Sequence, residues 1–159
     1  MKDTKRISVA LTLVVAIAAV AVASAFASSS AGTSRVVATA QNATLHAKIL
    51  VNRNGTSLYS LSAERNGRFI CTDATCISLW KPLVVGKGVT PTGAAHLGTV
   101  RRPDGRRQVT YRGGPLYTFT GDHKRGDVNG NGFKDVGIWH VATIGKAAAP
   151  APPSTTYPY

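Results

Sequence analysis

Two stretches decide the reading: Asn54–Glu64, "NGTSLYSLSAE", and Gly113–Asp122, "GGPLYTFTGD". Both run Gly, two residues, Leu-Tyr, one residue, Leu or Phe, two residues, then an acid. Setting Tyr59 against Tyr117 gives an offset of 58 residues. A second anchor follows: Gly67 and Trp80 are 13 apart, as are Gly126 and Trp139, now at an offset of 59. A fixed-period self-similarity of this kind predicts a tandem of two related units, about 46–85 and 105–144.

The local code is strand and turn. Lys48–Val51, the Asn52-Arg53-Asn54-Gly55 turn and Thr56–Leu61 read as a hairpin, because Asn-Gly supplies the positive φ that a tight turn requires. Gln108–Tyr111, Arg112-Gly113-Gly114 and Pro115–Thr120 read as its counterpart. Side chains alternate along a strand, so Tyr117 and Phe119 share one face while Leu116 and Thr118 share the other; Tyr59 and Leu61 repeat this. Trp80 and Trp139 open or sit within the trailing strands. No segment has long helical periodicity, and only Pro91–Leu97 suggests one helical turn. These features predict a small all-β domain of two hairpin-based repeats with pseudo-twofold symmetry and a shared core. A lone hairpin unit would not hold its structure in water.

Leu116-Tyr117-x-Phe119-x-x-Asp122 resembles the Tyr-x-aromatic-x-x-Asp signature of a bacterial family of secreted repeats of unknown function, often described as predicted lipoproteins. The resemblance runs through the surrounding "GTVRRPDGRRQVTYRGGPLYTFTGD", through "GDVNGNG" to Trp139, and through the cysteine pair followed by Trp80-Lys81-Pro82-Leu83, about residues 46–144 in all. Tyr59 and Trp80 are the first-unit counterparts of Tyr117 and Trp139. The first unit departs from the signature, with Leu61 and Glu64 in place of the aromatic and Asp. The lipid-attachment cysteine of many relatives is also absent. What the resemblance implies is export, a disulfide and a repeated β unit; it supplies no activity.

The ends of the chain read as export and linker. Lys2, Lys5 and Arg6 precede the apolar run Ile7–Val22, and Ala23-Ser24-Ala25-Phe26-Ala27 offers overlapping small-x-small cleavage sites. This is the pattern of a secretory signal peptide over residues 1–27, cleaved after Ala27 or, alternatively, Ala25. An uncleaved anchor is the competing reading, although the run is slightly short for a bilayer span of ~20 residues. Residues 28–45 are expected to form a flexible spacer, 46–145 the β domain, and 146–159, "KAAAPAPPSTTYPY", a disordered Ala/Pro-rich tail. The formal charge is +12, and loss of the leader removes three cations and one acid. In an exported chain, Cys71 and Cys76 are most simply a disulfide. A redox pair or two metal ligands are the alternatives, with four intervening residues against the former and no completing Cys or His group for the latter.

"GDVNGNGFKDVGIW" (Gly126–Trp139) begins like a calcium loop. Asp127, Asn129, Asn131 and Asp135 fall at positions 1, 3, 5 and 9 of an EF-hand pattern, with Gly132 at 6. Position 12 is Ile138 where a bidentate Glu belongs, and Lys124, Arg125 and Lys134 crowd the site with positive charge. Asp, Asn and Gly also build consecutive turns without any ion, by bonding their own backbone. In the two-unit alignment Cys71 lies opposite Gly130 and Cys76 opposite Asp135. An equivalent loop would then be stapled covalently in one unit, and by calcium or a side-chain hydrogen-bond network in the other. No other cofactor is expected.

Arg101, Arg102, Arg106, Arg107 and Arg112 cluster around Pro103-Asp104-Gly105. Guanidinium groups pair bidentately with phosphate and carboxylate, so these arginines are the candidate anion-binding set. For an exported protein the partners would be anionic cell-envelope polymers or lipid headgroups. Nucleic acid is disfavoured for want of an exposed aromatic platform. A membrane would be met only through an uncleaved leader. Four scattered histidines, few acids and no nucleophile or phosphate-loop motif argue against an enzyme. The aromatic set Tyr59, Trp80, Tyr117, Phe119 and Trp139 reads as core rather than as a glycan platform.

Overall fold

Alternation of buried and half-buried residues draws both Leu-Tyr segments into one sheet. In the computed structural model, which describes residues 32–145, β1 (Thr33–Arg35), β2 (Val37–Asn42) and β3 (Ala47–Asn52) precede β4 (Tyr59–Leu61). A short helix, α1 (Ala74–Leu79), leads into β5 (Trp80–Pro82) and β6 (Val84–Val85). The second half runs β7 (Thr90–Thr92), β8 (Leu97–Arg101), β9 (Arg107–Tyr111), β10 (Gly114–Pro115), β11 (Tyr117–Phe119) and β12 (Trp139–Val141). The described residues form an all-β domain with one disulfide. The expected signal peptide (1–27) and Ala/Pro-rich tail (146–159) lie outside the described residues.

The central sheet has the order β12-β4-β11-β5. Tyr59 faces Tyr117 at its middle, Leu61 faces Trp139 on one side, and Phe119 faces Trp80 on the other. Each Leu-Tyr strand therefore takes as its outer neighbour the Trp strand from the other half of the chain. Backbone bonds repeat this exchange in pairs. Ser62 N–H donates to Ile138 at 2.9 Å and Thr120 N–H to Leu79 at 3.0 Å; Leu50 N–H donates to Ala142 and Val109 N–H to Leu83, both at 2.8 Å. Neither half completes this sheet from its own strands.

The expected hairpins are only partly local. The turn at Asn52–Gly55 forms, with Gly55 N–H bonded to the Asn52 carbonyl at 3.0 Å and Gly55 at φ 85°. Beyond it, however, β3 and the 56–61 segment share one isolated bridge, Val51 with Ser57. The long partner of β3 is β2, paired over six rungs from Val37–Asn52 to Asn42–Ala47. From Thr33 onward this corrects the expectation of a flexible spacer over 28–45, since β1 also pairs, parallel, with β7; residues 28–31 lie outside the described residues. The physical reason is that Ile49, Leu50 and Val51 are all buried. A strand apolar on both faces leaves an edge that must be covered, and β2 covers it with Val37 fully buried. In the second half β8 pairs β9 over five rungs. In both halves the strand that completes the pair thus lies ahead of the unit boundaries at 46 and 105.

The helical turn expected at Pro91–Leu97 does not form: β7 ends at Thr92, residues 93–96 make a bend and turn, and β8 begins at Leu97. Among the described residues the one helix is α1, where the Asp73 carboxylate caps it by accepting the Cys76 N–H at 2.9 Å.

Two apolar clusters flank the sheets. One gathers Tyr59, Leu61, Trp80, Tyr117, Phe119, Phe133 and Trp139, with the Trp80 and Trp139 rings stacked 3.8 Å apart at 6°. The other holds Val37, Leu50, Leu58, Val109, Leu116 and Ala142. Leu58 and Leu116 thus fill the face opposite Tyr59 and Tyr117, as the period of two requires.

Candidate anion-binding site

The family-signature residues are interior. Tyr59, Trp80, Tyr117, Phe119 and Trp139 are buried, and the two tyrosines cross over to the acids of the opposite halves. Tyr59 Oη donates to Asp122 Oδ2 and Tyr117 Oη to Glu64 Oε2, each at 2.7 Å. Burial, followed by the neighbouring carboxylate, pushes both phenols above their ordinary range. Glu64 Oε1 also accepts the Ile70 and Cys71 N–H groups at 2.7 Å, and Asp122 Oδ1 accepts Asn129 N–H at 3.0 Å. Each acid therefore ties the start of its own following loop to a tyrosine of the other half. These residues hold the core together and leave no aromatic face for a ligand.

The two following loops are held differently. Cys71 and Cys76 are joined, with Cα atoms 5.4 Å apart. In the second loop Asp127 Oδ2 accepts His123 and Lys124 N–H, and those backbone bonds lower its pKa. Asn129 Nδ2 donates to the Gly121 carbonyl at 2.9 Å and Asn131 Oδ1 accepts Val141 N–H at 3.0 Å. Asp135 Oδ2 accepts the Trp139 indole N–H at 3.2 Å. The four expected calcium ligands thus reach four separate places, and among the described residues no three His, Cys, Asp or Glu side chains form a metal-holding group. Gly130 lies where a Cβ would come within 2.6 Å of the Trp80 ring, so the loop must pass with bare backbone.

The arginine cluster divides into three. Arg102 is only 2% exposed, which removes it from the anion-binding set. Its guanidinium donates to Gln108 Oε1 at 2.5 Å, to Tyr117 Oη at 3.1 Å and to the Cys71 carbonyl at 2.8 Å, and it lies over the Phe69 ring. A buried charge needs this many partners, and the sequence near Tyr117 and the disulfide supplies them. Arg106 is exposed but paired with Asp104 at 2.8 Å, which holds the Asp104 carboxyl well below its usual range. Arg112 stands at the far end of β9 from the turn, at φ 49° and over the Tyr111 ring, so it is not part of the turn group.

Arg101 and Arg107 remain. They face each other across the β8–β9 pair, both exposed, and Arg107 is steadied by a hydrogen bond to Thr99 Oγ1. The only ion pairs among the described residues are those of Asp104 with Arg102 and Arg106. On the other side of β9, Val85 pairs with Arg107, and this brings Val84, Val85 and Lys87 to the same groove of about 350 Å³. Lys87 could not be assigned from sequence, because only the β6–β9 pairing brings it near residues twenty positions away.

Residues 98–143 match the model of a family described as a secreted repeat of unknown function. The match begins inside β8 and ends just past β12, so it covers nearly all of the expected second unit and leaves the expected first one outside. That description supports an extracellular or extracytoplasmic location. No curated protein and no solved structure matches the chain. Among the described residues no helix is long and apolar enough to cross a membrane.

Proposed function

We propose that the protein is an exported, non-catalytic module that holds an anionic component of the cell envelope or extracellular space against its basic surface. Residues 1–27 act as a cleaved signal peptide in this reading, and the two halves are copies of one unit. The observation that carries it is the Arg101–Arg107 pair. Like charges placed directly opposite on neighbouring strands destabilise a sheet. A pair kept there without a carboxylate partner is best accounted for by an anion that arrives from outside. A binding role also accords with the placing of the histidines. His46 lies in the β2–β3 turn, His96 before β8, His123 after β11 and His140 within β12, in four separate settings.

The calcium-stabilised alternative draws no support from the 127–135 contacts, since each of the four side chains already has a partner in the loop or the adjoining strands. The test of the binding role is co-sedimentation of the exported chain with isolated bacterial cell-wall fragments at rising salt. Retention at low ionic strength that is released as the Debye length shrinks is the expected result. Retention indifferent to salt, or none at low salt, contradicts it.

A further inference from the structure

Resting on that reading, we infer that the groove between the β8–β9 turn and β6 is a site for the phosphoryl groups of a soluble phosphate polymer. Arg101 on β8, Arg107 on β9 and Val85 on β6 lie directly opposite one another in one cross-strand row of three neighbouring strands. Residues directly opposite in an antiparallel pair point to the same side, so both guanidinium groups and Val85 share one face. Neighbouring strands are about 4.8 Å apart, which brings the two arginine stems close enough for their heads to converge on one small anion. Lys87, just beyond β6, adds a third cation, and all three are exposed.

The ligand class follows from geometry. A planar carboxylate offers one edge, which a single guanidinium fork fills. A tetrahedral phosphoryl group presents oxygens in several directions and can engage forks from both sides together with an ammonium. Asp104, the acid nearest in sequence, is taken up by Arg102 and Arg106, so it does not neutralise the pair. The site is also pre-shaped. The turn that ends it is fixed by Gly105 N–H on the Arg102 carbonyl and by Arg102 N–H on the Arg106 carbonyl, both at 2.9 Å. Buried Arg102 anchors that turn to the disulfide loop through the Cys71 carbonyl. A polymer is the source the shape favours over a bilayer. The cations line a concavity, and Val84, 40% exposed, is the one large apolar side chain at the groove counted among the exposed ones, too little to insert into lipid.

The experiment titrates the whole exported chain with inorganic polyphosphate, poly-L-glutamate of matched charge and phosphatidylglycerol vesicles. It uses three double variants: Arg101→Ala/Arg107→Ala, Arg101→Lys/Arg107→Lys and the control Arg53→Ala/Arg68→Ala, whose two arginines are exposed elsewhere. Polyphosphate is expected to bind best, and the alanine pair to weaken it about tenfold or more, the value of one to two charged hydrogen bonds. The lysine pair, which keeps charge and loses the fork, should fall between, and the control should stay near the parent. Melting curves check that each variant is folded. Equal losses in the alanine pair and the control would overturn the site while leaving the basic-surface reading standing. Poly-L-glutamate binding as tightly as polyphosphate would overturn the phosphate class, and preference for vesicles would overturn the polymer. No binding of any polyanion at low salt would overturn the basic-surface reading itself.

Discussion

Glu64 and Asp122 stand in matching places, each accepting a hydrogen bond from the tyrosine of the opposite half and each holding the start of the loop that follows. Their surroundings differ. Glu64 is 1% exposed and shares Tyr117 with the buried Arg102, which in turn grips the carbonyl of Cys71. Asp122 is half-buried, forms no ion pair with an arginine among the described residues, and burial raises its pKa to about 6. The loop after Glu64 is closed by a disulfide, and the loop after Asp122 by side-chain bonds from Asp127, Asn129, Asn131 and Asp135. A carboxylate can be sealed from water where a cation and a covalent staple organise its surroundings. Where they are missing it stays near solvent, with turn residues doing the stapling.

The indoles show the same asymmetry. Trp139 Nε1 donates to Asp135, while the buried Trp80 Nε1 has no partner. Position 76, which falls opposite Asp135 when the two halves are set side by side, is a disulfide cysteine and offers the indole no carboxylate acceptor. An unpaired buried N–H is destabilising by about 1–3 kcal/mol. The staple of the first loop therefore works against a loss that the second loop does not carry.

The comparison breaks most sharply at Arg102. Arg102→Ala should lower stability by about 3–5 kcal/mol, as expected when one member of a buried charged network is removed and its partners are stranded. Asp122→Ala should have a markedly smaller effect, and urea unfolding of the two variants measures both. Equal losses would mean that the two halves are not organised differently after all. Next in size is the staple. Cys71→Ala/Cys76→Ala, or reduction, should remove roughly 2 kcal/mol, the chain-entropy value for so short a loop. This is read from the same unfolding curves.

The half-open acid makes a smaller, pH-dependent prediction. Because Asp122 binds its proton more tightly folded, at about 6, than at its ordinary value of 3.8, the folded chain holds more protons between those pH values. Stability should then fall as pH rises through that window. Melting temperatures from pH 4 to 7 should show this decline in the parent and a flatter profile in Asp122→Asn. Asp104 and Asp127 are lowered instead, so their contributions are lost only as pH falls below the ordinary carboxylate range. A parent profile parallel to that of Asp122→Asn would remove Asp122 as the source.

Much of the core was legible because it rests on short-range periodicity. Tyr59, Leu61, Tyr117 and Phe119 alternate as read, and the tryptophans at their fixed spacing from Gly67 and Gly126 meet face to face. What the sequence hid was partnership over distance. The adjacent segments do meet as hairpins, with β10 on β9 and Leu58 N–H on the Leu50 carbonyl, yet the Leu-Tyr strands themselves pair with Trp strands about forty and about eighty residues away. β1 and β2 were missed because Thr33–Asn42 is small and polar, with one adjacent valine pair to signal burial. Arg102 looked like its exposed neighbours because a cluster of charges carries no mark of which member turns inward. Lys87 joined the site only through the β6–β9 register.

The most direct test of the two-staple account is the melting of the oxidised exported chain with millimolar calcium, with excess chelator, and with a thiol reductant, beside Asp127→Ala. Reductant should lower the melting temperature, calcium and chelator should leave it unchanged, and the variant should melt slightly lower under both ion conditions. A calcium-dependent rise that Asp127→Ala abolishes would contradict the account, because binding to the folded state would then be what holds the second loop.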